Sequence, residues 1–309
     1  VRLVFAGTPE VSVTALEAIV ASGHELVAVV TRPDAPAGRG RKLVASPVAQ
    51  YAEQLGGVEI LKPVKPSDPE FLARLREIAP DCCPVVAYGG LLPQAALDIP
   101  EHGWINLHFS VLPAWRGAAP VQHSIISGDD VTGASTFRIV KALDAGPVFG
   151  VLTEPIGAKD TSGDLLTRLS VSGAKLFVDT LDGIAAGVLQ AVEQPADGVT
   201  IAPKLTVEDA EINLKHPAQQ IDRLVRGCNP APGAWTTFRG ERLKVLATAP
   251  TDDELAPGAI SATKSSVTVG TGSKAIELVT VQPQGKKPMA GADWARGVRI
   301  TADDQLGTE

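Results

Sequence analysis

Cysteine is scarce: the chain has three in 309 residues, two of them the neighbours Cys82 and Cys83. An odd count with adjacent members builds no disulfide framework, and no C-x-x-C occurs. These thiols therefore read as small buried hydrophobes. The five histidines (His24, His102, His108, His123, His216) form neither H-E-x-x-H nor a paired Cys/His spacing, which argues against a metal site. No apolar run approaches the roughly 18 residues of a membrane span. The first residues, Val1 to Phe5, show no signal-peptide h-region and lead straight into a strand pattern, so a cytoplasmic protein is expected. The first strand–helix turn is Gly7-Thr8-Pro9 rather than G-x-G-x-x-G, which removes the main reason to expect a dinucleotide. G-x-S-x-G is missing too, and with it the serine nucleophile elbow. A surplus of positive charge is also absent, since the net charge is −7. A nucleic-acid partner would have to be met by local basic clusters.

What is present implies two domains, because the chain exceeds the ~250 residues at which single cores stop growing. Residues 1–7 form a strand pattern. Thr8 follows as a candidate N-cap, Pro9 as the first helical residue, and Val13, Leu16, Ile19 and Val20 as an apolar face. Residues 26–31 are continuously apolar, like a parallel strand buried on both faces. This strand–helix–strand opening predicts a doubly wound, Rossmann-like α/β domain over residues 1–203. Helices are expected at 46–55, 68–79 and 162–187, and strands at 82–88 and 104–108. Two antiparallel additions are expected at 134–140 and 147–153. The stretch 193–207 is rich in turn formers and reads as a linker. A helix near 217–226 and short alternating strands with Gly/Pro/Asp turns then predict a smaller β-barrel domain over 208–309.

Asn106 and His108 share one face of the strand 104–108, since residues alternate across a strand. A polar pair at the carboxyl end of a strand in an apolar sheet is costly unless used or satisfied, and ligands of open α/β sheets bind at that end. Asn106 and His108 can together hold an oxygen on which negative charge develops, with Asp144 orienting His108 or relaying a proton. On spacing alone, a buried pair that merely satisfies the backbone is the competing interpretation. The absent nucleophile suits a reaction whose substrate brings its own, such as an amine.

From Asn106 the chain runs N-L-H-F-S-V-L-P-A-W-R-G-A-A-P. This resembles the N-x-H-x-S-L-L-P motif of the folate-dependent formyltransferases. The W-R-G-A-A-P-x-Q extension is the form typical of the methionyl-tRNA formyltransferase family. Similar stretches occur at 3–9 (LVFAGTP), 31–47, 85–93, 160–166 (DTSGDLL), 229–235 (NPAPGAW) and 282–289 (QPQGKKPM), in the family's order along essentially the whole chain. The resemblance implies an enzyme that moves a formyl group from 10-formyltetrahydrofolate to the amine of methionyl-initiator tRNA, without a metal. It implies that Asn106 and His108 stabilise the oxyanion. It also implies that Asp144, which lies 36 residues beyond His108, assists proton transfer. Ser110, Val111, Leu112 and Pro113 would line the folate pocket, with Tyr88, Gly89, Gly90, Leu91 and Leu92 near the pterin. The barrel would be OB-like and assist tRNA binding. Three positions depart from the pattern: Phe109 for Gly, Val111 for Leu, and Pro147 for the second Asp of the 142–147 loop.

The basic loop 32–42 holds Arg32, Arg39, Arg41 and Lys42 against Asp34, a net +3 over eleven residues of an acidic chain. Charge alone leaves this a solvated loop or a phosphate contact. With the resemblance, Arg39, Arg41 and Lys42 are expected to meet the tRNA acceptor end, and Lys286 and Lys287 to add phosphate contacts. Residues 208–309 as a whole hold 12 Lys and Arg against 13 Asp and Glu. Trp115 and Trp235 read as packing residues. No membrane partner is expected, and the chain is expected to be monomeric. Two other functions share these residues: formyl transfer to a sugar-nucleotide amine, and tRNA binding without catalysis.

Overall fold

Strand β1 (Arg2–Gly7) is buried from Leu3 to Ala6, as the central strand of a layered α/β sheet must be. The computed structural model describes residues 1–37 and 42–307. After β1 come α1 (Glu10–Val20), β2 (Glu25–Val30), the short pair β3 (Ala35–Ala37) and β4 (Lys42–Val44), and α2 (Pro47–Leu55). They are followed by β5 (Glu59–Leu61), α3 (Pro69–Ile78), β6 (Cys83–Val86), α4 (Gln94–Leu97) and β7 (Trp104–His108). The chain continues with α5 (Pro120–Ser127), β8 (Val131–Arg138), β9 (Val148–Pro155) and α6 (Ser162–Ala185). The main sheet has the order β5-β2-β1-β6-β7-β8-β9. Pairing is parallel from β5 through β7 and antiparallel for β8 and β9, as expected. Strand order reverses between β1 and β6, which is where doubly wound sheets open a crevice at their carboxyl ends.

Helix α1 buries Val13, Leu16 and Ile19 together with Ser12 and Ala15, whereas Val20 turns outward at 38% exposure. Thr8 is not the N-cap; Pro9 takes that place with no side-chain bond. The Thr8 hydroxyl instead donates to the Tyr88 carbonyl (2.8 Å), tying the β1 turn to the loop after β6. Helix α2 does carry a side-chain cap: Ser46 Oγ accepts the Ala49 N–H at 3.1 Å. The three cysteines are free and buried, and burial pushes the thiols of Cys82 and Cys228 up to about 12 and about 11. They are inert hydrophobes, as their sequence context indicated.

Cα packing divides the chain into two units. The first comprises residues 1–117, 131–155 and 166–201. The second comprises 118–130, 156–165 and 202–309. The second contains α5 and continues through α7 (Ala218–Gly227), β10 (Trp235–Phe238), β11 (Glu241–Pro250), β12 (Ile260–Ala262) and β13 (Val267–Val269). It ends with β14 (Ile276–Pro283), β15 (Met289–Ala290) and α8 (Gly291–Val298). Its antiparallel sheet runs β10-β11-β14-β13-β12, with β15 on β14. Leu306 bridges Phe238 on the β10 edge, and Gln305 bridges Ala259 beside β12, so the last described residues curl the sheet into a barrel-like form.

Gly7 lies where β1 meets α1. A Cβ there would sit 2.8 Å from Ser12 Cβ and 3.0 Å from the Val86 carbonyl, which already accepts the Ser12 hydroxyl. Gly7→Ala is expected to cost about 2 kcal/mol through overpacking and to lower the thermal midpoint by several degrees. Gly23→Ala, at a position with nothing near its Cβ, should not do so. Equal midpoints for the two variants would refute this account of the turn.

Candidate active site

The site begins with the alternation of β7. Leu107 packs against α6 where Gly173 leaves room for it, so Asn106 and His108 occupy the opposite face. His108 is buried at the strand's end, with its ring edge-on to Phe137 at 6.2 Å between centroids. Asn106 is half-buried, and within the described residues its amide forms no side-chain hydrogen bond.

His108 Nε2 lies 2.9 Å from the Trp115 carbonyl oxygen. A carbonyl can only accept, so Nε2 carries the hydrogen, and in the neutral ring Nδ1 holds the lone pair. Nδ1 faces Asp144 Oδ2 at 3.8 Å. Burial pulls the imidazole below its ordinary value, while the Asp144 charge and the Trp115 carbonyl pull it back up only in part. Proximity of Asp144 alone would have suggested a raised value. Desolvation of a ring 6% exposed outweighs it.

The strand register alone does not bring Asp144 to this place. Arg138, the end of β8, pairs with Ile105 near the start of β7, so the 139–147 connection must fold back to reach His108. It does so with Asp144 in the left-handed region (φ 46°), where Asp is tolerated better than most residues. Asp144 Oδ2 accepts the Gly117 N–H at 2.7 Å. Ala87 (φ 46°) and Trp115 (φ 59°), on the other loops around the site, also have positive φ. Such conformations cost on the order of 1–3 kcal/mol each and persist where surrounding structure enforces them.

The expected folate-pocket residues divide into two kinds. Ser110 is fully buried, its hydroxyl on the Ala114 carbonyl (2.6 Å) and its carbonyl accepting Ser135 Oγ (2.7 Å). Leu112 is buried, and its N–H reaches the same Ser135 oxygen at 3.1 Å. Both pin the turn to β8, leaving Val111 and Pro113 half-exposed. Phe109, the departure from Gly, is buried as well. After β6, the Tyr88 ring is sealed in the core while its carbonyl holds Thr8; Gly89 has φ 75°, and Leu91 is 88% exposed. These residues follow β6 at the reversal of strand order.

Arg39 and Arg41 lie outside the described residues. Lys42 is exposed on β4. Lys286 and Lys287 are exposed just after the turn that ends β14. Near that turn a groove of about 610 Å³ is lined by Trp235, Arg242, Lys244, Gln282 and Gln284. The Arg242 guanidinium covers the Trp235 ring at 3.9 Å, and the indole N–H donates to the Val207 carbonyl. Trp235 thus packs at the groove wall. Among the described residues no group of three or more His, Cys, Asp and Glu could hold a metal ion, and no helix is long and apolar enough to cross a membrane.

Residues 1–181 match the formyl transferase family model, and residues 204–299 match the formyl transferase C-terminal domain. The methionyl-tRNA formyltransferase of Streptomyces avermitilis is 69% identical over 309 residues, covering 99% of each chain. That of Thermobifida fusca is 61% identical over 310 residues, covering 100% of each. Among solved structures, a sugar 3N-formyl transferase in the presence of dTDP and 5-N-formyl-THF superposes with a TM-score of 0.68 at 16% identity. The alignment covers 93% of this chain and 99% of that one.

A buried neutral histidine with two raising neighbours, of which only Asp144 is charged, gives a signed expectation. In ¹⁵N NMR titration, His108 should protonate below the ordinary ~6.5, and Asp144→Asn should move its midpoint lower still, since the raising charge is gone. The unfolded chain takes up this proton first. The stability contributed by neutral His108 is therefore present above about pH 6.5 and is lost as the pH falls below it. A midpoint at or above 6.5, or one that rises in Asp144→Asn, would contradict the balance described.

Proposed function

Because the chain belongs to the methionyl-tRNA formyltransferase family, and so to the formyl-transferring enzymes, we propose that it moves the formyl group of 10-formyltetrahydrofolate to the amine of methionyl-initiator tRNA. The observation that carries the chemistry is the triad itself: an Asn106 amide unpartnered among the described residues, a His108 ring with its lone pair on Nδ1, and the Asp144 carboxylate facing that lone pair at 3.8 Å. The amine must attack in its neutral form, and an α-amino pKa near ~8 keeps a useful fraction neutral. As its nitrogen bonds the formyl carbon, the carbonyl electron pair moves onto oxygen, and the Asn106 N–H groups stabilise that oxyanion. His108 Nδ1 accepts the proton the amine loses and then donates to the oxyanion as imidazolium, with Asp144 balancing its charge. Collapse breaks the bond to N10 of the folate, which leaves with the proton that His108 took from the amine, and the His108 ring returns to its neutral form. Val111, Pro113 and the 88–92 loop line the folate side, and residues 1–203 carry the reaction.

Residues 208–309 assist tRNA binding in this proposal. The support is local charge: Lys286 and Lys287 beside a groove that also presents Arg242 and Lys244, and the basic sequence stretch 32–42, within a chain of net charge −7. Such contacts act on phosphates and are salt-dependent.

Two sets of measurements test the proposal. With 10-formyltetrahydrofolate, formylation should occur on methionyl-initiator tRNA and not on an aminosugar nucleotide; the reverse would replace the acceptor. His108→Ala and Asn106→Ala should each lower turnover by roughly 10²–10³ while retaining folding and tRNA binding; near-parent rates would remove the pair from catalysis. Separately, Arg39→Ala should weaken tRNA use and flatten its salt dependence by about one phosphate contact, with folate binding unaltered. An unchanged salt slope would assign Arg39 to solvent.

A further inference from the structure

The stretch 193–207 has the composition of a linker, yet its first residues are tied into the site. Val192 and Val148 exchange two backbone hydrogen bonds at 2.8 Å. Thr200 accepts the Arg116 N–H on its carbonyl (2.9 Å) and the Trp115 N–H on its hydroxyl (2.8 Å). Between these ties sits Gln194. Its Nε2 donates to the carbonyls of Asp144 and Gly146, both at 2.8 Å, and its Oε1 accepts from Arg116 Nε (3.1 Å) and Nη2 (2.6 Å). The amide can face only one way. Carbonyls accept and a guanidinium donates, so the nitrogen must face the 144–146 loop and the oxygen must face Arg116.

This amide joins the two loops that flank His108. One supplies the Trp115 carbonyl to Nε2 and the Gly117 N–H to Asp144; the other carries Asp144 itself. The Asp144 loop folds back from the end of β8, with Asp144 at positive φ and Lys141, Ala142 and Leu143 exposed. Little apolar burial therefore holds it. We infer that Gln194, fixed by Arg116, is a positioning residue that holds the Asp144 carboxylate against His108 Nδ1. The inference rests on the reading of Asp144 as a participant in formyl transfer. A Glu at 194 would turn oxygens toward two carbonyls, and an Asn would fall a methylene short of the bridge.

The test compares Gln194→Ala, Gln194→Asn, Asp144→Asn and the double variant Asp144→Asn/Gln194→Ala. The readouts are turnover with 10-formyltetrahydrofolate and methionyl-initiator tRNA, and the His108 NMR titration. Gln194→Ala should lower kcat about 10- to 100-fold, as displacement of a reacting group by about an ångström does, with the folate KM nearly unchanged. Its His108 midpoint should move down, in the direction given by Asp144→Asn. In the Asp144→Asn background the same change should cost nothing further, because both act through one carboxylate. Gln194→Asn should repeat the pattern, and it replaces Gln194→Ala if that variant does not fold. A full additional loss in the double variant, or a His108 midpoint that stays at the parent value, overturns the inference. Parent turnover in Asp144→Asn would instead refute the catalytic reading of Asp144, and the titration would still decide whether Gln194 holds the carboxylate in place.

Discussion

The hydrogen bond from His108 Nε2 to the Trp115 carbonyl constrains everything around it. Because the partner cannot donate, it fixes the tautomer, and the tautomer leaves a lone pair on Nδ1. Burial then keeps the ring neutral, so the lone pair remains available. A carboxylate facing a lone pair at 3.8 Å gains little while the ring is neutral, and it gains once the ring is charged. Asp144 thus stabilises the state that follows proton uptake more than the state that precedes it, which is the differential stabilisation the proposed step requires.

Only two members of the proposed triad stand on rigid secondary structure. Asn106 and His108 are held by β7, hydrogen-bonded on both sides to β6 and β8. Asp144 stands on a loop, and the carbonyl that fixes the tautomer stands on another. Both loops contain a non-glycine residue at positive φ. Ser135, fully buried, pins the intervening 110–112 turn through its single hydroxyl, donating to one carbonyl and accepting one N–H. Buried polar side chains are here used as fasteners between segments distant in sequence. That is costly when one partner is lost, because the remaining group is left buried and unpaired.

The sheet and the polar pair were legible in the sequence because both follow from periodicity. Continuous apolar runs marked β1, β2 and β6, and alternation put Asn106 and His108 on one face. The sequence pattern places the antiparallel additions at 134–140 and 147–153, whereas β8 begins at Val131. Val131-Thr132-Gly133 carries no apolar pattern, and Gly133 is there because the Leu152 carbonyl of β9 leaves no room for a side chain. Thr8 looked like a cap because capping is a local preference. Its actual partner, the Tyr88 carbonyl, lies 80 residues away and leaves no local trace. Gln194 has no local signature for the same reason: turn formers around it signal irregular backbone, and nothing nearby records that its amide meets a loop some 50 residues earlier.

In the proposed reaction the substrate supplies the nucleophile, so the protein needs few reactive groups and must place them well. Here the placement of Asp144 depends on a connection too exposed to be fixed by packing, so directional bonds have to do that work. The Gln194 amide uses both of its donors and doubles up on its acceptor. Any rotation about its last torsion breaks bonds at both ends at once. That cooperativity is what a half-buried amide bridge can offer in place of a hydrophobic anchor. It also explains why the bridge is an amide. A carboxylate would bind Arg116 more strongly but repel the two carbonyls, and a lysine would satisfy the carbonyls but repel Arg116. Only a side chain with a donor face and an acceptor face can join a guanidinium to a pair of carbonyl oxygens.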